Sequence, residues 1–272
     1  AVVEHLLPVQ DPFGLLGGLR RGRSRPVPRD GPLVVLDVEP VDRVDHDVDG
    51  GVAQTDERDD RVRREHRVEP GEGGVAPRGA VPDAQLVAVK VISAAGRYCC
   101  ASDVVAAMDW VATHHPDAAA VNLSLGSDET FPGHCDASTA WTQSLAVAVD
   151  ALVANGAVVT VSTGNQGNVQ QIQAPACIQD ALSVAATWDS DIGAVDDFLG
   201  CSETSTAARK PTCFANRSPT TDLFAAGAFV TSTGHTGGTS VYGGTSQAAP
   251  MAAACAVALS QAAPVATVAQ RM

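Results

Sequence analysis

The sequence predicts an α/β fold, a three-layer α/β/α sandwich built on a mostly parallel sheet. Two observations carry that reading. From residue 74 onward, short apolar runs rich in Val and Ala alternate with longer helical stretches, and the links between them are short. Alternation of this kind implies right-handed strand–helix–strand crossovers and therefore parallel neighbours. The apolar runs are also near-continuous, as in strands covered on both faces.

The elements follow in order. Residues 86–92 (Leu-Val-Ala-Val-Lys-Val-Ile) read as a covered strand. Ser102 and Asp103 open an amphipathic helix over 104–115, with Ser102 as N-cap and Asp103 suiting the helix dipole. Residues 119–125 form a second strand, and 136–155 a long helix stopped by Gly156. A third strand spans 157–162, with further short strands at 181–187 and 222–225. The polar stretch 190–217 is long for a connection and reads as an excursion over the surface. The last helix, running on from Ser246, is built of Ala, Val and Leu, so burial nearly all round is expected. No internal repeat is present.

The chain divides near residue 74. Its 272 residues are ample for a core, and the net charge of −13 argues against nucleic acid or an anionic membrane as the main partner. No uncharged apolar run reaches the length of a membrane span. Residues 1–80 hold 12 Arg and 16 Asp/Glu, but no Ile, Lys, Asn, Met, Cys, Trp or Tyr. Two readings of 1–73 stand side by side. One is a charged, Pro/Gly-rich arm, disordered or propeptide-like; the other is GC-rich coding sequence read in a wrong frame. On either, 1–73 is expected to stay apart from the α/β unit, which is 74–272. Arg20, Arg21, Arg23, Arg25 and Arg29 cluster there, but without interleaved aromatics and among acids, which disfavours nucleic-acid binding.

All seven cysteines lie beyond residue 98, with no spacing that suits structural zinc. Cys255, in the Ala-rich helix, reads as a buried free thiol. The remaining six favour disulfides and an oxidising, extracellular location, with Cys201–Cys213 as the best pairing because one short loop separates them. The first residues show no initiator Met and no basic leader, so export is inferred from the cysteines.

Three segments carry chemistry. Gly243-Gly244-Thr245-Ser246-Gln247-Ala248-Ala249-Pro250 puts Ser246 in the first turn of a helix, beside a glycine turn. There its hydroxyl is placed either to attack a carbonyl or simply to cap the helix. In Val158-Val159-Thr160-Val161-Ser162-Thr163-Gly164-Asn165-Gln166-Gly167, Asn165 stands between glycines at a strand end. Its amide could donate to a developing oxyanion, or the residue could merely make a turn. Val121-Asn122-Leu123-Ser124-Leu125-Gly126 ends a strand on an edge able to pair with an extended peptide.

In this order and spacing, the three segments resemble the subtilisin-like serine peptidases, the subtilases, over about 74–272. The resemblance implies Ser246 as nucleophile and Asn165 as a side-chain oxyanion donor, with the Ser246 N–H as the second. It also implies Ser124, Leu125, Gly126 and Gly164 as substrate-binding residues. Polypeptides would be the substrates, with acyl-enzyme chemistry on the serine and no cofactor required. Calcium is common in the family; the clustered Asp189, Asp191, Asp196 and Asp197 are either its ligands or solvated loop acids.

The family's Asp-Thr/Ser-Gly and His-Gly-Thr-His blocks are absent. His5, His46 and His66 are followed by Leu, Asp and Arg, and Asp37 by Val-Glu, so no triad Asp or His is assigned. His114 and His115 belong to a helix. The domain is thus expected to be incomplete at both ends. The 272-residue chain is expected to be a peptidase of negligible activity, or else a peptide-binding module that keeps the cleft without the base, or a non-functional fragment.

Overall fold

The structure, a computed structural model, describes residues 79–82, 84–92, 100–234, 238–263 and 268, with the backbone of Leu33–Leu36. In chain order the elements are β1 (Leu33–Leu36), β2 (Gln85–Ala88), α1 (Ala101–His114), β3 (Ala118–Leu123), β4 (Thr130–Phe131) and α2 (Ala140–Ala154). There follow β5 (Val158–Ser162), β6 (Ile172–Gln173), β7 (Leu182–Thr187), β8 (Val195–Phe198) and β9 (Cys201–Glu203). Last come β10 (Leu223–Ala226), β11 (Val230–Thr233), β12 (Thr239–Tyr242) and α3 (Thr245–Ala262). Six strands form one parallel sheet in the order β10-β7-β5-β3-β1-β2. Three two-stranded antiparallel ribbons, β4/β6, β8/β9 and β11/β12, surround it.

Helices cover both faces, as the three-layer expectation requires. On one face α1 and α2 pack Val104, Met108, Leu145 and Val149 against Val121, Leu123, Val159 and Val161. On the other, Ala248, Ala249, Ala252, Ala253 and Ala256 of α3 pack on Ala120, Val158 and Ala186. Small side chains on both partners let α3 approach the sheet closely, which fixes its N-terminus over the strand ends.

Several expectations are corrected. Leu33–Leu36 lies within the segment expected to stay apart, yet it pairs in parallel with both β2 and β3. Four apolar residues in extended form satisfy the inward edges of those two strands, which would otherwise face each other unpaired. The rest of 1–73, with Asp37, His5, His46 and His66, falls outside the described residues. The strand expected at 86–92 closes after Ala88 and is not covered: it is the sheet edge, with Leu86 exposed. Helix α1 begins at Ala101 after Cys100, so Ser102 lies inside it and is not the N-cap. Helix α2 begins at Ala140, where Thr139 and Thr142 exchange side-chain and backbone bonds in a capping box. The residues before it serve other ends, since Cys135 is bonded to Cys177 and Asp136 accepts from the Gln179 N–H. Gly156 (φ 99°) ends α2 as expected. Cys255 is a free thiol but exposed, with Leu259 beside it on an open face of α3, so that helix is buried on one side only.

The excursion at 190–217 is tied down at both ends. Cys201 is bonded to Cys213, the pairing expected from the sequence. Glu203 lies beneath it, accepting from Trp188 Nε1 (2.7 Å) and the Cys213 N–H (2.8 Å) and pairing with Lys210 (2.5 Å). Burial alone would raise its carboxyl pKa, but Lys210 and these donors outweigh it and hold the pKa below the ordinary glutamate value. Its far end is core, with Phe214, Ala215 and Asn216 buried, so the excursion is a surface feature only in part.

Candidate active site

Strands β3 and β5 are neighbours, and their carboxyl ends run into Ser124-Leu125-Gly126 and Thr163-Gly164-Asn165. Ligands of open parallel sheets bind at such ends. Here the N-terminus of α3 lies across them, leaving a cleft of about 660 Å³. All six residues singled out in the sequence, Ser124, Leu125, Gly126, Gly164, Asn165 and Ser246, line this cleft.

The helix start is fixed by Gly244 and Thr245. Gly244 is the N-cap at φ 152°, a value open to glycine, so Ser246 is the second helical residue and not the cap. At that position its N–H has no intrahelical acceptor. Thr245 is fully buried; its hydroxyl accepts from the Gly164 N–H (3.1 Å) and donates to Asn165 Oδ1 (3.0 Å). The Thr245 N–H donates to the same Oδ1 at 2.8 Å. Because a backbone N–H can only donate, it fixes which end of the Asn165 amide is oxygen. Asn165 Nδ2 is then left without a hydrogen bond among the described residues, on a residue that lines the cleft.

Two buried asparagines that the sequence reading did not single out support this arrangement. Asn216 staples the loop after β5. Its Oδ1 accepts from the N–H groups of Gln166 (3.0 Å) and Asn168 (2.9 Å), and its Nδ2 donates to Gln166 Oε1 (2.7 Å). Its backbone N–H donates to the Gly164 carbonyl. Gly164 (φ 105°) has no room for a Cβ, which would collide with Asn216 Nδ2 and Gln173 Oε1. Asn122 begins a relay from the sheet to the helix: Thr160 donates to Asn122 Oδ1 (3.1 Å) and Asn122 Nδ2 donates to Ser124 Oγ (2.9 Å). Ser124 Oγ in turn donates to the Ser246 carbonyl (2.8 Å).

That carbonyl is available because Pro250, four residues on and inside α3, has no N–H to give it. Ser124 replaces the missing helical donor and braces the Ser246 turn against β3. We expect Ser124→Ala to cost about 1–2 kcal/mol, since it strands a partly buried carbonyl. In a Pro250→Ala background, where residue 250 can donate, the same change should cost clearly less. Urea unfolding of the four proteins in a double-mutant cycle measures this; strictly additive effects would refute the brace.

Ser246 Oγ itself donates to the Ser124 carbonyl over a long 3.4 Å. None of the described histidines, His114, His115 and His134, lines the cleft; His114 donates Nδ1–H to the Trp110 carbonyl and stacks on Trp110 at the end of α1. Cys100, on the cleft wall, is disulfide-bonded, as are Cys135, Cys177, Cys201 and Cys213. The four clustered aspartates do not form a cation cage. Asp189, Asp191 and Asp196 each accept a bond from Ser190, Gly193 and Ser202, respectively. Among the described residues no group of three His, Cys, Asp or Glu is arranged to hold a metal.

Known proteins share this architecture. The chain is 31% identical over 171 residues to an extracellular serine proteinase of a Thermus species, covering 62% of this chain and 34% of that protein. It is 30% identical over 181 residues to a cuticle-degrading serine protease of Arthrobotrys oligospora, covering 65% and 37%. It thus spans about a third of the length of these relatives. A cold-adapted subtilisin-like serine proteinase superposes with a TM-score of 0.54 at 25% identity, covering 71% of this chain and 59% of that one. An alanine mutant of the PatA protease domain shares the fold at TM-score 0.58 and 22% identity, over 87% and 81% of the two chains. The family model for subtilases matches residues 66–271, a span that takes in both strand ends and the serine helix. The chain belongs to the subtilase family.

Proposed function

We propose that the cleft between β3, β5 and α3 is a peptide acyl-transfer site, with Ser246 as nucleophile and Asn165 Nδ2 with the Ser246 N–H as oxyanion donors. Ser124, Leu125, Gly126 and Gly164 form the edge on which an extended polypeptide lies. The observation that carries this reading is the Thr245–Asn165 pair. It holds Asn165 Oδ1 on Thr245 and leaves the NH₂ free of partners among the described residues, in a cleft that Ser246 also lines from the positive end of a helix. The reading places the protein outside the cell, supported by its disulfides and by relatives such as the extracellular proteinase above.

We also propose that the 272-residue chain turns substrate over poorly. Its sequence lacks the family's Asp and His blocks, and Ser246 Oγ is engaged by the Ser124 carbonyl. The same bond favours a second reading, a cleft that binds peptides without cleaving them. A serine-directed phosphonate, followed by tandem mass spectrometry of the digest, tests the assignment. A slow adduct confined to Ser246 and absent from Ser246→Ala is expected. Adducts spread over surface serines would refute the nucleophile, and no adduct at all would favour the binding reading.

A further inference from the structure

The glycine turn before Ser246 is gripped from outside the cleft. On one side the Gly244 N–H donates to the Gly227 carbonyl (2.7 Å). On the other lies Phe198, whose ring rests on Gly243 so closely that a Cβ there would collide with its Cζ and Cε1. Gly243 is not among the glycines at positive φ, so the ring and not the backbone is what excludes a side chain. Strand β12, which leads into the turn, gives it little support, since Thr239, Val241 and Tyr242 are exposed. Phe198 is itself fixed. It ends β8 opposite Cys201, across the Leu199-Gly200 turn (φ 52° and 76°), and Cys201 is bonded to Cys213. Its ring meets Phe229 at 4.3 Å and the buried Phe214 edge-on at 5.6 Å. The Phe214 carbonyl accepts from the Gly167 N–H (2.7 Å), in the loop that carries Asn165. One aromatic cluster thus joins the serine turn to the Asn165 loop, and Phe198 lines no part of the cleft.

We propose that Phe198 is a positioning residue for Ser246: by pressing on Gly243 it holds the serine turn in place against the Asn165 loop. The inference rests on the acyl-transfer reading above and deepens it, adding a residue that acts without touching substrate. Gly243 and Gly244 lead directly into Thr245 and Ser246, and two successive glycines are the most freely jointed backbone a chain can have. Left unbraced, the pair lets the start of α3 shift, and a displacement of ~1 Å at a reacting group can cost about 10²-fold in rate. Aromatic pairs favour tilted and edge-on contacts of the kind seen here, so the cluster holds the Phe198 ring in one orientation. The bridge to Cys213 keeps the β8/β9 ribbon, and with it the ring, against the turn.

A double-mutant cycle on the full chain tests this. Two quantities are read: the rate at which a fluorescent peptidyl phosphonate labels Ser246 at saturation, and the concentration that gives half that rate. Gly243→Ala should slow saturated labelling about tenfold, because its methyl group meets the ring and displaces the turn. Once Phe198→Ala has cleared that space, the same change should cost less than about twofold. Phe198→Ala alone should slow labelling about fivefold and leave the half-rate concentration unchanged. Phe198→Leu keeps apolar bulk but has no ζ carbon to meet Gly243, and it takes the place of Phe198→Ala in the cycle if the smaller side chain unfolds the ribbon. Strictly multiplicative effects of the two changes would overturn the inference, as would variants that melt earlier yet label at the parental rate. No adduct at Ser246 in the unaltered chain would instead overturn the acyl-transfer reading, and this inference with it.

Discussion

The 272-residue chain is expected to hydrolyse peptides about 10⁶-fold more slowly than a subtilase with a complete triad, the scale of loss when the base of such a triad is removed. The serine hydroxyl is a weak nucleophile unless a neighbour takes its proton as it attacks. Here Ser246 Oγ donates to a backbone carbonyl, which can hold the proton in place but cannot accept it. Residues of a triad act as a unit, so once the base is lost the serine contributes little more. Ser246→Ala should therefore leave the residual rate within a few-fold of the parent. Initial rates on a peptide anilide, parent against Ser246→Ala, decide the matter. Fast turnover abolished by Ser246→Ala would mean that a base reaches Ser246 and that the inactivity proposal is wrong.

Breaking the Cys135–Cys177 disulfide should lower stability by about 4 kcal/mol, the loop-closure entropy expected for its separation of 42 residues. For a domain of this size that is a fall of ~10 °C in Tm. The bridge closes a loop that carries α2 and β5, and therefore Gly164 and Asn165, the strand end on which the cleft depends. Both cysteines are buried, and the Cys135 N–H donates to the Cys177 carbonyl alongside the bridge. The Cys201–Cys213 bridge spans only 12 residues and should contribute less, about 3 kcal/mol. Calorimetry of Cys135→Ala/Cys177→Ala against Cys201→Ala/Cys213→Ala gives the ranking. Equal effects, or none from the first pair, would contradict it.

What was legible in the sequence and what was not divide along physical lines. Strands β3, β5 and β7 announce themselves because both faces are covered, which leaves uninterrupted runs such as Val158-Val159-Thr160-Val161. The serine turn and the Gly164-Asn165 strand end were legible for a related reason, since glycine and a polar residue at the end of a buried run need a local explanation. Partners distant in sequence were not. Asn216, Asn122 and Gln173 acquire meaning only when the β5 loop, β3 and β6 converge on the cleft. For Asn216 and Gln173 the one local hint was a glycine at each strand end, Gly126 and Gly164, where a Cβ would meet Gln173 and, at Gly164, Asn216 as well. The start of α2 was misplaced because a disulfide and a Thr139–Thr142 box overrode the helix pattern. Strand β1 was placed outside the α/β unit because its four apolar residues lie within a charged, compositionally biased segment, and only β2 and β3 bring them into the sheet.

The central claim, a serine cleft complete in its oxyanion donors but without a base, is tested most directly by a crystal structure of the chain reacted to completion with a peptidyl phosphonate. The account expects phosphorus bonded to Ser246 Oγ and a phosphoryl oxygen about 2.7–3.1 Å from both Asn165 Nδ2 and the Ser246 N–H. It also expects no imidazole within hydrogen-bond reach of Oγ. A phosphoryl oxygen turned away from Asn165 would contradict the oxyanion assignment, and an imidazole seated against Ser246 would show that the chain carries its own base.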